Sequence, residues 1–283
     1  MLTVLEVVRK TADFFAAKGI ESPRLNAELL AGHALGLARM QLYLQFERAL
    51  SDAEAERIRS LVRRRAQREP LQYLIGRVEF SGLALKVDRR ALIPRPETEY
   101  LVETVVGRRA DSPPRSILDL GTGTGAIALA LAGKWPEASV TATDSSLEAL
   151  ELARENATAA GLDGRVLFLE SDWFAAIVPE ARFDLIIANP PYLSADELAA
   201  SAPELREHEP SAALVAGEDG IADLRSILRT APAHLAPGGL LALETGMDQH
   251  ARLGLIAAEY GWRRTEFLPD LSGRPRYFFA RME

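Results

Sequence analysis

The segment Asn189-Pro190-Pro191-Tyr192 follows the apolar run 183–188 and contains residue types suited to chemistry. Two adjacent prolines remove two backbone donors at the end of a predicted strand, so nearby carbonyl oxygens are left as acceptors. Asn189 adds a side-chain carbonyl and Tyr192 adds a planar ring. We predict that the four residues bind a planar –NH2 group by both hydrogens, and that Asn189, Pro190 and Tyr192 are catalytic.

A glycine-rich loop lies upstream, in the stretch Ile-Leu-Asp-Leu-Gly-Thr-Gly-Thr-Gly at 117–125. Glycines let the backbone turn tightly against a ligand, and the helix predicted behind the loop offers free N–H groups. Gly121, Gly123 and Ala126 also fit the G-x-G-x-x-A dinucleotide pattern. A nicotinamide-dependent dehydrogenase is therefore one alternative.

Two acidic residues favour a different ligand. Asp119 precedes the first glycine by two residues, where its negative charge suits an ammonium and a sulfonium better than a pyrophosphate. Asp144 ends the next predicted strand, about twenty residues further on, where an acid accepts hydrogen bonds from ribose hydroxyls. Asp144 could instead cap the helix that follows Ser145-Ser146. Together these positions favour S-adenosylmethionine.

Asp172-Trp173 follows the third predicted strand and extends the series to a purine. A carboxylate accepts from an exocyclic amine while an indole packs on the ring. A tryptophan used only for core packing is equally compatible with these two residues. The cofactor-binding residues predicted from these motifs are Asp119, Gly121, Thr122, Gly123, Thr124, Gly125, Asp144, Asp172 and Trp173.

The elements that must position these residues alternate between strand-like and helix-like patterns, which predicts a parallel sheet with helices on both faces. The predicted parallel strands are 116–120, 139–143, 165–170, 183–188 and 239–244. Two closely spaced strands, 263–268 and 276–280, predict an antiparallel pair at the sheet's end. The candidate residues then lie at successive strand ends, where ligands bind in open α/β sheets.

The first seventy residues have the start and stop signals of short helices, including capping-box spacing at Thr3 and Ser51. Alternating apolar residues around Ser81-Gly82 predict a β-hairpin. We predict an N-terminal helical domain at 1–76, a hairpin linker at 77–95 and the site-bearing domain at 96–283. Six arginines between Arg57 and Arg68 form either a solvated helix face, which we favour, or a docking face.

Composition limits the function classes. With no cysteine, disulfides and thiolate metal sites are excluded, and we expect no metal. The net charge of −7 argues against free-standing nucleic-acid binding. No run approaches the roughly 18 apolar residues of a membrane span, and we expect a cytoplasmic monomer without membrane contact.

With these motifs in this order, the chain resembles class I S-adenosylmethionine-dependent methyltransferases that methylate amine and amide nitrogens. More specifically, it resembles the protein-glutamine methyltransferases that modify peptide chain release factors. The resemblance extends nearly end to end and is most specific at 68–76, 92–99, 209–214 and 270–274. His208, Thr245 and Pro275 depart from the family's commonest pattern, and none of them belongs to the predicted site.

The resemblance implies a Rossmann-like, seven-stranded α/β methyltransferase domain, a small N-terminal helical bundle that recognises the substrate, and a β-hairpin linker. It implies methyl transfer from S-adenosylmethionine to the side-chain amide nitrogen (N5) of the glutamine in the Gly-Gly-Gln motif of class 1 release factors, with S-adenosylhomocysteine as product. Gly121 to Gly125, Asp144, Trp173 and Asn189 would contact the donor, and Asn189 to Tyr192 would hold the glutamine.

Three alternatives stay open beside the dehydrogenase. A ribosomal-protein glutamine or an adenine amino group in nucleic acid presents a similar –NH2 group. The acidic composition and the predicted N-terminal helices suit a protein substrate better than nucleic acid. A non-catalytic S-adenosylmethionine-binding module would not need the Asn189 to Tyr192 acceptors.

Overall fold

The computed structural model describes residues 2–217 and 219–282; residues 1, 218 and 283, which the predicted domains include, lie outside the described residues. The chain divides into two compact units, one of Met1–Gly76 with Ala202–His208 and one of Arg77–Ser201 with Glu209–Glu283. None of the helices in this described part is long and apolar enough to cross a membrane.

The helices are α1 (Val4–Ala17), α2 (Pro23–Leu35), α3 (Arg39–Leu44), α4 (Asp52–Ala66), α5 (Leu71–Ile75), α6 (Pro96–Arg108), α7 (Ala126–Lys134), α8 (Leu147–Ala159), α9 (Ala195–Ala200), α10 (Pro203–His208), α11 (Ala222–Thr230) and α12 (His250–Glu259). The strands are β1 (Arg77–Phe80), β2 (Leu83–Lys86), β3 (Ser116–Leu120), β4 (Ser139–Asp144), β5 (Val166–Glu170), β6 (Phe183–Ala188), β7 (Leu235–Glu244), β8 (Arg264–Pro269) and β9 (Pro275–Arg281).

The first unit is helical, as the sequence predicts. Both capping boxes are present, because the hydroxyls of Thr3 and Ser51 accept hydrogen bonds from the third residue of α1 and α4. The apolar faces of these helices meet in one core that contains Phe15, Leu30 and Ile58. The helical character of this region is therefore determined by local signals that the sequence displays.

Four of the six arginines, at positions 57, 59, 63 and 64, are exposed as the favoured interpretation predicts, but the interpretation is wrong for Arg65. Arg65 is only 6 % exposed. Its Nε donates to Asn26 Oδ1 at 2.8 Å, and its second terminal nitrogen donates to Glu204 at 2.9 Å. Arg68 also contacts Glu204, at 3.3 Å. The Arg65 guanidinium thus joins α4 to α2 and α10, because a buried charge needs paired partners.

The second unit begins with the predicted hairpin, in which β1 and β2 pair antiparallel. Ser81 and Gly82 form its turn with positive φ angles of 48° and 78°, which match the twist of the flanking strands.

The central sheet has seven strands in the order β5-β4-β3-β6-β7-β9-β8. Strands β3 to β7 are parallel, while β9 pairs antiparallel with both β7 and β8. The predicted sheet and its antiparallel end are thus confirmed. Strand β7 begins at Leu235, four residues earlier than predicted. A register shift against β6 lets the strand include Gly238 and Gly239.

Side chains alternate across the sheet, so each strand contributes to two cores. Ile117 and Leu185 pack on one face with α7, and Leu118 and Ile186 pack on the other. Since β4, β3 and β6 are neighbours, their carboxyl ends lie side by side. The glycine loop, Asp144 and Asn189 follow these three ends, and the fold thereby brings together residues far apart in sequence.

Candidate active site

A cleft of about 340 Å³ opens at the carboxyl ends of these strands. This volume lies within the range of small-molecule sites. Most of the residues predicted from the sequence line it, namely Gly121, Thr122, Gly123, Thr124, Asp144, Asp172, Trp173, Asn189 and Pro191. Asp119, Gly125, Pro190 and Tyr192 are not among the lining residues.

The glycine loop needs its glycines for backbone conformation. Gly121 and Gly125 have φ angles of +69° and +83°, in the left-handed region that disfavours other residues. A Cβ atom on Gly121 would stand 3.4 Å from the Trp173 ring, and one on Gly125 would stand 3.2 Å from Ala153. The loop therefore passes close to the indole on one side and to α8 on the other.

Asp119 lies behind the loop and is fully buried. Its Oδ2 accepts hydrogen bonds from the Thr122 hydroxyl at 2.6 Å and from the Ala128 N–H at 3.2 Å. Its Oδ1 has no hydrogen-bond partner among the described residues. Burial raises the pKa of Asp119 to about 7. In this structure Asp119 braces the loop against α7, and its contact with a donor stays a prediction.

Asp144 lies in the cleft wall at the end of β4. Its Oδ2 accepts from the Gly123 N–H at 2.8 Å, and its Oδ1 accepts from the Ser146 N–H at 2.9 Å. Burial raises the pKa of this carboxyl group. The first residue before α8 is Ser146, whose hydroxyl accepts from Ala149 N–H. Ser146 therefore caps the helix, and Asp144 joins the loop to the strand end.

Trp173 has a left-handed backbone with φ of 47°, which is uncommon for a bulky residue. Its carbonyl oxygen accepts from the hydroxyl groups of Ser171 and Thr143. Its indole N–H donates to Asp223 Oδ1 at 3.2 Å. Asp223 also lines the cleft, and sequence reasoning missed it because it follows no recognisable motif. Burial raises the pKa of Asp223.

Asn189 follows β6 and lines the cleft. Its Nδ2 donates to the Thr98 hydroxyl at 3.0 Å, and Thr98 donates in turn to Glu244 at 2.7 Å. Asn189 is partly buried, and the side-chain hydrogen bond described for it uses Nδ2 and not Oδ1. Sequence reasoning missed both Thr98 and Glu244, although Thr98 lies in one of the stretches that carry the resemblance.

Pro190 is buried, and Tyr192 is partly buried beside it. The Tyr192 hydroxyl lies 3.5 Å from Glu244 Oε1, and its ring centroid lies 5.5 Å from the Arg276 guanidinium. Burial raises the pKa of Tyr192 to about 12. The ring therefore stays neutral at physiological pH, and its polar end faces the interior.

The cleft is rich in acceptors. Two arginines that line the cleft are already engaged in ion pairs, Arg90 with Asp88 and Glu155 and Arg95 with Glu209. Three acidic residues, Asp144, Asp172 and Asp223, line the same cleft. Carboxylates and carbonyl oxygens suit a ligand with ammonium, hydroxyl and amine donors. In the described ranges 2–217 and 219–282, no group of three or more potential metal ligands is close enough to hold an ion.

Solved structures with the same fold are methyltransferases. A 16S rRNA methyltransferase of T. thermophilus, solved in complex with AdoMet and guanosine, has a TM-score of 0.53 and 22% identity, over 73% of this chain and 50% of that chain. A ribosomal protein L11 methylase of Lactobacillus delbrueckii has a TM-score of 0.50 and 22% identity, over 68% of this chain and 80% of that chain. The fold is that of a class I S-adenosylmethionine-dependent methyltransferase.

Sequence comparison gives a narrower class. Residues 6–76 match the family model described as PrmC N-terminal domain, and residues 96–205 match the methyltransferase small domain. Relatives named release factor glutamine methyltransferase occur in Deinococcus radiodurans, with 46% identity over 93% of this chain and 92% of the relative, and in Rhodopirellula baltica, with 39% identity over 97% and 94%. The chain belongs to the release factor glutamine methyltransferase family. This membership disfavours the dehydrogenase alternative.

Proposed function

We propose that this protein transfers a methyl group from S-adenosylmethionine to the side-chain amide nitrogen of the glutamine in the Gly-Gly-Gln motif of a class 1 release factor. The observation that carries the proposal is the orientation of Asn189. Its Nδ2 is held by Thr98, so that Oδ1 is the atom available to a ligand. The names of the relatives support a release factor as the substrate.

The cleft fits the methyl donor through its acceptors. Asp144 would accept from the ribose hydroxyls and Asp172 from the adenine amine, while Trp173 would pack on the purine. The glycine loop would lie against the amino acid part, with Thr122 and Thr124 in the wall. The bound donor supplies a methyl group activated by its sulfonium.

The acceptor nitrogen requires orientation, because the lone pair of an amide is delocalised into its carbonyl. Asn189 Oδ1 and the Pro190 carbonyl oxygen would accept the two amide hydrogens, so that the lone pair points at the methyl carbon. Such positioning contributes roughly 7 to 11 kcal/mol in well-oriented reactions. The two oxygen dipoles also stabilise the positive charge that develops on nitrogen.

Tyr192 would pack on the plane of the glutamine amide, and Pro191 would shape the adjoining wall. No residue needs to remove a proton before transfer. The N-methylated amide nitrogen is strongly acidic while it is cationic, so its proton leaves to solvent afterwards. In this mechanism the chain contributes orientation and charge stabilisation.

The partner proposal follows from the domain plan. We infer that residues 1–76 recognise the release factor and that residues 96–283 perform the methyl transfer. Residues 77–95 link these two domains. A cytoplasmic monomer without nucleic-acid specificity fits the modification of a translation factor and the net charge of −7.

The test is methylation in vitro with labelled S-adenosylmethionine. Purified release factor, the same factor with Gln→Ala in the Gly-Gly-Gln motif, ribosomal proteins and nucleic acid are offered in parallel. We expect label only in the unaltered release factor, with mass spectrometry placing one methyl group on that glutamine. Label in the Gln→Ala factor, in ribosomal protein or in nucleic acid instead would refute the assignment and favour the corresponding alternative.

A further inference from the structure

A chain of hydrogen bonds runs from the cleft into the interior behind Asn189. It joins Asn189 at the end of β6, Thr98 on α6 and Glu244 at the end of β7, with N···O and O···O distances of 3.0 and 2.7 Å. Thr98 is 5 % exposed and Glu244 is 1 % exposed. Three separate elements thus contribute one polar side chain each to a buried row that ends at the predicted acceptor site.

We propose that Thr98 and Glu244 are positioning residues that determine which end of the Asn189 amide faces the cleft. The inference rests on the proposed function, because it explains how Asn189 presents an acceptor and not a donor to the substrate amide.

The direction of the chain follows from hydrogen counting. A threonine hydroxyl has one hydrogen, and an ionised carboxylate can only accept. Glu244 therefore takes the hydrogen of Thr98. Thr98 is left with lone pairs, so its second partner must be a donor, and Asn189 meets this need only by turning Nδ2 inward.

The opposite orientation would defeat the predicted chemistry. The oxygen and the nitrogen of a primary amide are almost equal in size, so packing alone discriminates poorly between the two rotations by 180°. A reversed Asn189 would place its –NH2 group against the –NH2 group of the glutamine. Two donors would then face each other, and the amide nitrogen would not be held in line with the donor methyl.

The charge of Glu244 controls this direction. Burial raises the pKa of Glu244 to about 7, while the Thr98 hydrogen bond and Arg276 on β9 act in the opposite sense and Glu97 on α6 raises it further. Tyr192 and Tyr277 also face this carboxyl group, and both are neutral phenols. A protonated Glu244 can donate to Thr98, which then no longer needs a donor from Asn189.

The experiment compares full-length variants of two buried threonines. The hydroxyl of Thr98 belongs to the hydrogen-bond chain from Asn189 to Glu244, and that of Thr245 does not. Thr98→Val removes the hydroxyl at nearly constant volume, and Thr98→Ser retains it. Thr245→Val is the matched control, because Thr245 is also buried and its hydroxyl bonds instead to Arg276 O and His250 Nε2, both at 3.1 Å. The measurements are kcat and KM with release factor, the Kd of S-adenosylmethionine by calorimetry, and the melting temperature.

We expect Thr98→Val to lower kcat by roughly 10-fold to 100-fold, as for a misplaced reacting group, with little change in the donor Kd. Thr98→Ser should restore most of the rate, and Thr245→Val should retain it. A Thr98→Val rate close to wild type, or an equal loss in Thr245→Val, overturns the inference. A wild-type protein that leaves release factor unmethylated overturns the proposed function itself.

The pH profile gives a second readout that does not require Thr98→Val to fold. We expect the wild-type kcat to fall as the pH is lowered through about 7, because Glu244 becomes protonated. Glu244→Gln has no such titration, so its lower rate should lack this dependence. Parallel profiles for wild type and Glu244→Gln contradict the inference.

Discussion

Asp144 and Gly123 are joined by a hydrogen bond of 2.8 Å from the loop N–H to the strand-end carboxylate. The bond holds the glycine loop at the carboxyl end of β4, and it orients one carboxylate oxygen while Ser146 orients the other. The same side chain lines the cleft. One residue thus both shapes the loop and lines the cleft.

Asp144→Ala should weaken donor binding more than turnover. The substitution leaves two backbone N–H groups without their acceptor and removes the proposed partner of the ribose, and a hydrogen bond to a charged group contributes about 1.5 to 3 kcal/mol. The Kd of S-adenosylmethionine should therefore rise by roughly 10-fold to 100-fold. Calorimetry measures this change, with Asp163→Ala at an exposed position as control. An unchanged Kd would remove Asp144 from the donor site.

Asn189→Ala should abolish transfer while donor binding weakens only in part. The variant loses the acceptor that we propose orients the reacting nitrogen, and removal of one such polar group typically lowers kcat by about 10²-fold to 10³-fold. Single-turnover methylation with saturating donor separates this effect from affinity. A normal turnover rate would refute the assignment of Asn189.

Gly121→Ala should destabilise the protein and displace the indole of Trp173. Its φ of +69° disfavours a Cβ atom, and that atom would stand 3.4 Å from the ring; the backbone cost alone is about 1 to 2 kcal/mol. Gly133→Ala on the exposed face of α7 is the matched control, since a Cβ there meets nothing within 4 Å. The control should gain about 0.5 to 1 kcal/mol. Urea unfolding and tryptophan fluorescence test both, and equal effects of the two variants would count against this account of the loop.

Asp119 should make the protein less stable as the pH rises. Its pKa is raised by burial from 3.8 to about 7, so between about pH 4 and pH 7 the native state holds a proton that the unfolded state has released. The free energy of unfolding consequently falls across this window, by at most about 4 kcal/mol at 1.36 kcal/mol per pKa unit.

Asp119→Asn removes this contribution, so the free energy of unfolding should depend less on pH from 4 to 8. Urea titrations at several pH values measure the slope, and Asp163→Asn should follow the wild type. Parallel curves for wild type and Asp119→Asn would show that Asp119 does not titrate in this range.

The sheet could be predicted from the sequence because the signals that define its strands are local. The strands Ser116–Leu120 and Phe183–Ala188 have the predicted ends, since a short apolar run bounded by glycine or proline determines them. Asp144 reaches the cleft because it ends β4, and Trp173 reaches it three residues beyond the end of β5. Periodicity and turn chemistry therefore locate the residues that strand ends carry.

The unpredicted part depends on contacts between distant residues. Thr98 lies 91 positions from Asn189 and 146 from Glu244, and Asp223 lies 50 from Trp173. No local pattern encodes such pairs. Burial likewise cannot be recognised in a single sequence. The sequence indicates a charged side chain beside the loop at Asp119, whereas this residue is buried behind the loop and its pKa is raised.

The contacts that hold Trp173 in place lower the entropic cost of binding a ligand. In the protein alone its carbonyl oxygen accepts from the Ser171 hydroxyl and its indole N–H donates to Asp223, while the backbone of Gly121 passes close to its ring. Immobilising a free aromatic side chain on binding costs about 0.5 to 1.5 kcal/mol. Here the Trp173 side chain already loses its rotamer freedom when the chain folds. A ligand that stacks on the indole therefore binds a preorganised surface.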